Sequence, residues 1–288
     1  MRFSKYHALG NDYLVITPQE AGDIPQHPEA IQKICQRKSG IGSDGILLGP
    51  IDTKETKYGL RIFNPDGSEA EKSGNGIRIF SRWLWDHGYV TEKPFNLWTK
   101  GGMVEAQVLH GGRSVKVEMG RVSFDSREIP VAGPAREVIN ETMEIAGVKL
   151  LYCAATIGNP HCIILCEKVS RAQVMQLGPL IEREERFLNR TNVQFMQVLD
   201  KNHIYIEIWE RGAGFTLASG SSSCAAAATA YRLGFCSPQI TVNMPGGKLE
   251  IIINENGNVT MSGPVTRIAE GEISEEIFSD KIYTGDKQ

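Results

Sequence analysis

Two apolar stretches of the chain each follow a short polar turn, and this pattern organises the rest of the sequence. The first turn spans residues 71–76 (EKSGNG) and leads into the apolar run 77–89; the second spans 217–222 (LASGSS) and leads into 223–235. Each run reaches a glycine, Gly88 or Gly234, a residue at which helices commonly end. Because both runs are apolar on nearly every side, they predict two buried helices.

The two turns predict a binding site. A glycine-containing turn that feeds a buried helix leaves backbone N–H groups free and presents the positive end of the helix dipole, which favours an anionic ligand. Ser73 and Ser219 occupy the same place in the two turns, 219 − 73 = 146 residues apart. We therefore expect both serines at helix N-termini, on opposite walls of one cleft.

Other landmarks repeat at nearly the same spacing. Asn11 lies in a turn that interrupts the strand pattern 3–17, and Asn159 lies in a similar turn 159 − 11 = 148 residues later. The strand before Asn64 matches the strand before Glu210, at 210 − 64 = 146. A repeat of this length indicates two copies of one structural unit. The other matching elements are the helices 28–37 and 171–184, the strands 45–48 and 193–199, and the Gly-Gly turns 101–102 and 246–247.

The repeat predicts an α+β fold of two pseudo-symmetric lobes. Each lobe is expected to be a mostly antiparallel, curved sheet around a buried central helix, because a sheet wrapped around the helix explains its apolar surface. We place the lobes at residues 1–120 and 145–270, joined by the polar, proline-containing linker 121–144 and followed by a C-terminal tail, 271–288.

Composition narrows the function classes. The 288-residue chain has a net charge of −3 and a sequence pI of about 6.1, so it lacks the basic character of a nucleic-acid-binding protein. No apolar run reaches the roughly 18 residues of a membrane span, and the first residues, MRFSK, lack the apolar segment of a secretory signal. We predict a cytoplasmic protein with neither nucleic-acid nor membrane partners; a homodimer is left open.

The six cysteines predict neither disulfides nor a metal site. They lie in apolar surroundings without CxxC spacing, which indicates buried free thiols in a reducing compartment. His161, Cys162 and Cys166 form the one candidate metal cluster, but this segment has the pattern of a strand. His161 then points away from the two cysteines, so no metal is expected.

The sequence does not support two common enzyme motifs, the dinucleotide-binding GxGxxG and the hydrolase GxSxG. Residues 40–45 (GIGSDG) satisfy GxGxxG, but they follow a predicted helix and precede a predicted strand, the reverse of a dinucleotide-binding loop. They predict a helix-to-strand turn. Neither Ser73 nor Ser219 lies in GxSxG, which argues against a hydrolase nucleophile.

Five asparagines lie in turn segments of the two copies. Each one alone is explained by the preference of asparagine for turns. Together with Glu210 and the adjacent Arg211, they predict a cage for the carboxylate and amine of an amino acid, since arginine binds carboxylates through paired donors. The asparagines are Asn11, Asn64, Asn75, Asn159 and Asn192.

These segments resemble the signatures of the diaminopimelate epimerase family, almost from end to end and in register. The matching segments are residues 7–12 (HALGND), 64–68 (NPDGS), 73–76 (SGNG), 158–161 (GNPH), 191–192 (TN) and 210–214 (ERGAG). The resemblance implies an isomerase of lysine biosynthesis that converts LL- to meso-diaminopimelate without a cofactor. Its two-base mechanism removes the Cα proton from one face and returns a proton to the other.

The resemblance also implies the site residues. Proton transfer falls on Ser73 and Ser219. The implied substrate contacts are Asn11, Asn64, Gly74, Asn75, Asn159, Asn192, Glu210, Arg211, Gly220 and Ser221.

The sequence departs from the family pattern at the two positions that carry out the chemistry. The family's two proton-transferring groups are cysteines, and their positions here hold Ser73 and Ser219. A helix N-terminus stabilises an anion by at most about 2 kcal/mol, which lowers a pKa by at most about 1.5. That shift brings a thiol near neutrality but leaves an alcohol far above it. Thiols at these positions could deprotonate an α-carbon, whereas the two serines should not.

Two origins of the serine pair stay open: deliberate replacement of both cysteines, or a natural branch of altered chemistry. Phe215 stands where the family usually has Glu, and Gly45 where some members have Gln, which favours the natural branch. Three functions therefore stay open as well. They are the epimerase, another proton-shifting isomerase or lyase on the same scaffold, and a catalytically silent amino-acid binder.

Overall fold

The computed structural model describes residues 1–278, and its first half contains three helices and eight strands. Helix α1 covers Pro18–Ala21, α2 Pro28–Cys35 and α3 Gly74–Asp86, with a 3-10 turn at Ile24–Gln26. The strands are β1 (Arg2–Ala8), β2 (Asn11–Ile16), β3 (Ile46–Ile51), β4 (Gly59–Phe63), β5 (Glu69–Ala70), β6 (Phe95–Thr99), β7 (Gly102–Leu109) and β8 (Ser114–Arg121).

The second half contains two helices and ten strands within the described range. Helix α4 covers Arg171–Glu182 and α5 covers Gly220–Arg232, and a 3-10 turn follows at Glu275–Phe278. The strands are β9 (Glu141–Ile145), β10 (Val148–Thr156), β11 (Pro160–Leu165), β12 (Asn192–Asp200), β13 (His203–Glu210), β14 (Gly214–Thr216), β15 (Gln239–Met244), β16 (Gly247–Ile253), β17 (Asn258–Pro264) and β18 (Thr266–Glu272).

Strand pairing repeats between the two halves. The antiparallel pair β1–β2 corresponds to β10–β11, and the parallel pair β2–β3 corresponds to β11–β12. The parallel pair β4–β6 likewise corresponds to β13–β15, and the antiparallel hairpins that follow also match. The predicted α+β fold of two pseudo-symmetric, mostly antiparallel lobes is confirmed.

Helices α3 and α5 are the buried centres of the lobes, as their sequences predict. Phe80 and Ile77 of α3 and the alanines 225–227 of α5 are fully buried, in one apolar core that includes strands of both lobes. Burying a side chain of the size of Phe80 contributes roughly 1.5–3 kcal/mol. The alanine-rich surface of α5 allows the surrounding strands to approach closely.

The helix ends follow from the local sequence. Both helices begin three residues before the predicted apolar runs, directly after Ser73 and Ser219. They end at Asp86 and Arg232, and the glycines two residues later, Gly88 and Gly234, both have φ +73°. Glycine adopts this left-handed conformation without steric cost and ends the helix.

The two lobes exchange strands at their edges. Strand β18, near the end of the described chain, pairs with β1, and β17 pairs with β8. The linker also pairs with the C-terminal lobe, because Ser123 forms an isolated β-bridge with Thr156 of β10. The lobe boundaries 1–120 and 145–270 remain a prediction, and most of the proposed tail, residues 279–288, lies outside the described residues.

The expectations about the motifs and cysteines can be compared directly with the structure. The segment 40–45 is the turn between α2 and β3, as predicted; a Cβ on Gly40 would lie 2.1 Å from the carbonyl oxygen of Lys33. All six cysteines are free, and all but the half-buried Cys166 are buried. Within residues 1–278, no helix is long and apolar enough to cross a membrane.

Candidate active site

The N-termini of the two buried helices meet. A Cβ atom placed on Gly74, the first residue of α3, would lie 3.7 Å from the Cα of Gly220, the first residue of α5. A Cβ on Gly220 would also lie 2.9 Å from the sulfur of Met261, which packs below both glycines. Side chains at these two positions would push the helices apart. Glycine therefore allows the turns that carry Ser73 and Ser219 to lie side by side.

Ser73 caps α3. Its backbone is extended, with φ −139° and ψ 117°, and its Oγ accepts a hydrogen bond from the N–H of Gly76 at 3.1 Å. The phenol of Tyr13, from β2, is its other polar neighbour. Burial raises the pKa of Tyr13 to about 12, although a hydrogen bond with Ser73 opposes that rise. The hydroxyl of Ser73 is thus flanked by a phenol that stays protonated at neutral pH.

Ser219 has a different partner. Its backbone is also extended, with φ −144° and ψ 128°, but within the described structure its side chain does not cap α5. Its polar neighbour is the carboxyl of Glu210, which the antiparallel pairing of β13 with β14 brings back toward the helix. Burial raises the pKa of Glu210 above its ordinary 4.5, Ser219 opposes the rise, and the carboxylate of Asp44 adds to it.

Charges from both halves of the chain share this space. Tyr13 and Asp44 belong to the N-terminal half and Glu210 to the C-terminal half. Asp44 and Glu210 both raise the pKa of Tyr13, and Asp44 also raises that of Glu210. Because these effects weaken with distance and with solvent, the phenol and the two carboxyls lie in one region beside the two serines.

Asn11 and Asn75 are fixed by a chain of side-chain hydrogen bonds. Arg78 donates to Oδ1 of Asn75 at 2.8 Å, and Asn75 donates to Oδ1 of Asn11 at 3.0 Å. Asn11 donates in turn to Asp44 at 2.9 Å, and Asp44 also accepts from Arg37 at 2.6 Å. A primary amide has two N–H donors, so each asparagine keeps one N–H for a ligand.

Asn192 and Arg211 form the corresponding part of the C-terminal lobe. Asn192 is buried at the start of β12, where it donates to the carbonyl of Pro160 at 2.9 Å and accepts from the N–H of Arg211 at 3.0 Å. The exposed guanidinium of Arg211 donates to the carbonyl of Asn189 at 2.9 Å. An arginine has five N–H donors, so further donors remain at the edge of the site.

His161 orients Asn159. The imidazole is fully buried in β11, and burial lowers its pKa to about 3, so the ring is neutral. Its Nε2 donates to Oδ1 of Asn159 at 3.0 Å, and Nδ2 of Asn159 reaches the hydroxyl of Ser221 at 3.5 Å. The sequence pattern correctly placed His161 on a strand, but it gave no indication of this contact with Asn159.

Asn64 lies at the edge of the candidate active site. Its side chain donates to the hydroxyl of Ser68 at 3.0 Å, within its own turn. The preceding residue, Phe63, pairs with Ile46, so this turn follows a strand end next to the segment that carries Asp44. The structure therefore brings Asn64 near the site but shows its side chain engaged locally.

One buried and one half-buried cation lie behind the helix ends. Arg78 is fully buried, and burial lowers its pKa to about 10, which leaves it positive at neutral pH. Burial also lowers the pKa of Lys72, whose Nζ donates to the carbonyl of Met119 at 3.3 Å. Their charges add to the positive ends of the two helix dipoles. The site therefore favours an anionic group.

Sequence reasoning missed Tyr13, Asp44 and Arg78. Of these three residues, Arg78 could have been recognised from the sequence, because a single arginine in an apolar helix needs polar partners when it is buried. The two positions expected to depart from the family pattern have different surroundings. Phe215 packs under the guanidinium of Arg171, with 4.5 Å between the guanidinium carbon and the ring centre. A Cβ on Gly45, by contrast, would lie 2.7 Å from Cε1 of the Tyr13 ring.

The fold resembles those of several solved isomerases. A probable proline racemase from Agrobacterium radiobacter aligns with a TM-score of 0.69 at 16% identity, covering 97% of this chain and 94% of that one. A methylitaconate-delta-isomerase aligns with a TM-score of 0.63 at 10% identity, covering 100% and 99%. At such low identity, these likenesses show the fold alone.

Sequence comparisons identify the family. Diaminopimelate epimerase 2 of Nostoc sp. strain PCC 7120 is 58% identical over 279 residues, which cover 97% of this chain and 98% of that protein. Diaminopimelate epimerase of Moorella thermoacetica is 37% identical over 279 residues, covering 94% and 99%. The family model for diaminopimelate epimerase matches residues 3–124 and 153–268. The chain belongs to the diaminopimelate epimerase family.

Proposed function

We propose that the protein is a cofactor-independent epimerase that inverts Cα of an amino acid, with LL-diaminopimelate as substrate and the meso form as product. The observation that carries this proposal is the meeting of Gly74 and Gly220 at two repeat-related helix N-termini, each preceded by a serine. Inversion needs a proton acceptor on one face of Cα and a proton donor on the other. Two walls related by an internal repeat supply one group for each face.

The substrate carboxylate is proposed to bind at the two helix N-termini. The first N–H groups of a helix have no acceptor within the helix, and the side chain of Ser219 leaves those of α5 uncapped. The spare N–H groups of Asn11 and Asn75 add two donors, and Arg78 adds a buried positive charge. This arrangement supports binding of a carboxylate in the same way that helix N-termini bind other anions.

The substrate ammonium is proposed to lie toward Asp44 and Glu210. Asp44 raises the pKa of Glu210, and both carboxyls raise that of Tyr13, so negative charge is unfavourable in this part of the free site. A cationic ammonium relieves that repulsion. The carbonyl oxygens of the other amide side chains complete the proposed cage.

We further propose that Ser73 and Ser219 occupy the positions at which other family members carry their two thiols. A serine hydroxyl alone is too weak an acid and too weak a base for this task. Glu210 resolves the difficulty on one wall. The oxygen of Ser219 takes the Cα proton while its own proton passes to the Glu210 carboxylate, so Glu210 is the net base. Its raised pKa makes it a stronger base than an exposed carboxylate.

The test follows Cα of LL-diaminopimelate in deuterated water by mass spectrometry and chiral chromatography. The proposal expects deuterium uptake together with inversion. Glu210→Gln should reduce both by at least about 10²-fold, the usual contribution of a general base. The matched control is Glu250→Gln, which removes an exposed carboxylate that pairs with Thr241 away from the site.

Two other outcomes would overturn the proposal. A product with a shifted double bond would identify a different isomerase on the same scaffold. Tight binding without deuterium exchange would identify an amino-acid binder.

A further inference from the structure

Helix α4 of the C-terminal lobe ends in a buried carboxylate. Glu182 is the last residue of this helix, and only 3% of it is exposed. A negative charge at the C-terminal end of a helix opposes the helix dipole, and the removal of a carboxylate from water is costly unless it is paired. The local sequence therefore does not favour glutamate here, and the stabilisation of Glu182 comes from its tertiary contacts.

The two carboxylate oxygens of Glu182 hold both sides of one turn. Oε2 accepts the indole N–H of Trp209 at 2.8 Å, and Oε1 accepts the backbone N–H of Gly212 at 3.1 Å. Glu210 and Arg211, both expected to contact the substrate, are the two residues between these donors. Since an ionised carboxylate accepts hydrogen bonds on both oxygens, a single side chain of α4 spans the turn.

The start of β12 is tied to the same helix end. The backbone carbonyl of Glu182 accepts the N–H of Thr191 at 3.2 Å. The next residue, Asn192, accepts the N–H of Arg211 at 3.0 Å. Glu182 therefore contacts the segment that carries Asn192 as well as the turn that carries Arg211, and these two segments also hold each other.

Gly178 sets the distance between α4 and Trp209. A Cβ on Gly178 would lie 2.8 Å from both Cβ and Cγ of Trp209. Residues four positions apart share one face of a helix, so Gly178 and Glu182 lie on the same side of α4. A larger residue at position 178 would push α4 away from β13 and draw the carboxylate away from its two donors.

The charge of Glu182 has little compensation from other side chains. Within the described residues its one ion-pair partner is Arg190, whose Nη1 lies 3.7 Å from Oε1 and whose side chain is 58% exposed. A pair with an exposed arginine contributes little. The two N–H donors from the turn are therefore the main stabilisation of the carboxylate, and hydrogen bonds to a charged acceptor are the stronger kind.

We propose that Glu182 is a positioning residue that keeps Glu210 and Arg211 in the arrangement that binds the substrate. This inference rests on the proposed function, because it takes both residues as substrate contacts. Glu182 touches no substrate group and acts through the turn. Release of the turn would make the binding-competent arrangement a minor population, and the apparent affinity would fall by that fraction.

The decisive variant is Glu182→Gln. Glutamine has nearly the same shape, but its amide offers one acceptor oxygen and an NH₂ donor, so one of the two N–H groups loses its acceptor. KM for diaminopimelate should rise about 10-fold or more, comparable to the loss of one hydrogen bond to a charged group. The free energy of unfolding should change little, because the buried charge is removed together with the hydrogen bond.

The matched control is Glu141→Gln. Glu141 is a half-buried carboxylate of the same lobe, held by Arg136 at 2.6 Å and by the phenol of Tyr152 at 2.8 Å. This change should lower the free energy of unfolding and leave KM unchanged. A merely structural role of Glu182 would give the same pattern in Glu182→Gln, a smaller folded fraction with an unchanged KM, and that result would overturn the inference.

Amide hydrogen exchange followed by NMR tests the turn without substrate. In Glu182→Gln the N–H groups of Arg211 and Gly212 should exchange about 10-fold faster or more, while the β12–β13 ladder keeps its protection. Trp209→Phe removes only the indole donor and should accelerate the same two amides, which covers the case in which Glu182→Gln folds poorly. Unchanged protection of these amides in an active protein would overturn the inference alone. A parent chain that neither binds nor converts any amino acid offered would remove the proposed function, and this inference with it.

Discussion

Asn75 donates a hydrogen bond to Oδ1 of Asn11 across 3.0 Å, and this contact ties the first turn of α3 to the turn between β1 and β2. The two residues are 75 − 11 = 64 positions apart, and both lie where the sequence predicts substrate contacts. Because Asn75 also accepts from Arg78 and Asn11 also donates to Asp44, the amides have one allowed orientation. The relationship fixes which hydrogen atoms face a ligand.

Asn11→Ala should therefore weaken both binding and stability. The change removes one proposed substrate donor and leaves an N–H of Asn75 without its acceptor, which typically costs about 1–3 kcal/mol when the group is buried. Calorimetry with diaminopimelate and denaturant unfolding measure the two effects. Asn96→Ala, at an exposed position of β6, is the control. Unchanged affinity together with lower stability would limit Asn11 to a structural role.

Glu210→Gln should increase stability at neutral pH while it removes activity. Burial raises the folded-state pKa of Glu210 above its ordinary 4.5. The folded state therefore favours the protonated form, and the parent loses stability relative to the variant as pH rises from about 4.5 through the raised pKa. Below that range both states of the parent are protonated and this difference disappears.

Thermal or urea unfolding of the parent and Glu210→Gln at several pH values measures this difference. The activity of the parent should rise over the same pH range, since the proposed base acts as the carboxylate. A stability difference that does not change with pH would contradict the raised pKa.

Arg211→Ala should remove amino-acid binding while the fold remains intact. The guanidinium is exposed at the edge of the site, so little apolar packing is lost, whereas truncating one partner of a charge pair in a site typically costs about 2–5 kcal/mol. Isothermal calorimetry tests the affinity. The control is Arg232→Ala, which removes a surface pair with Glu137. Equal affinity in parent and variant would assign Arg211 to its contact with the carbonyl of Asn189 instead.

The sequence predicted the repeated units because the repeat is local information. Each buried helix is specified by consecutive residues, with Ser73 or Ser219 before its start and Gly88 or Gly234 beyond its end. Packing and strand pairing then repeat wherever those local signals repeat. The strand exchange between β18 and β1 was not predictable in this way, because nothing in either strand specifies its partner.

The site was predicted less completely, for the same reason. The serines and Asn11 recur as matching residues, but the positions 148 residues after Tyr13 and Asp44, namely 161 and 192, hold residues of other types, so the repeat did not mark these two. No base stands next to Ser219 in sequence, since Glu210 comes nine positions earlier (219 − 210 = 9) and returns only through the β13–β14 hairpin. Their mutual approach is a property of the tertiary structure.

The strongest test of the chemistry is the replacement of both serines by cysteine. A thiol has an ordinary pKa of about 8.5, and the helix N-termini together with Arg78 and Lys72 should lower it further. We expect Ser73→Cys/Ser219→Cys to invert diaminopimelate about 10²-fold faster than the chain as written, or more. Each single variant should gain far less, because one thiol returns the proton on its own face without inverting the centre.

The four chains are compared by deuterium uptake at Cα together with the configuration of the product. If the serine form proves as fast as the double cysteine form, the serine hydroxyls are sufficient and the argument from alcohol acidity is wrong. If the double cysteine form is inactive with diaminopimelate yet binds another amino acid, the family assignment stands and the proposed substrate is wrong. Since the helix ends, the glycines and the asparagines are already in place, we expect neither outcome, and the thiols alone should raise the rate.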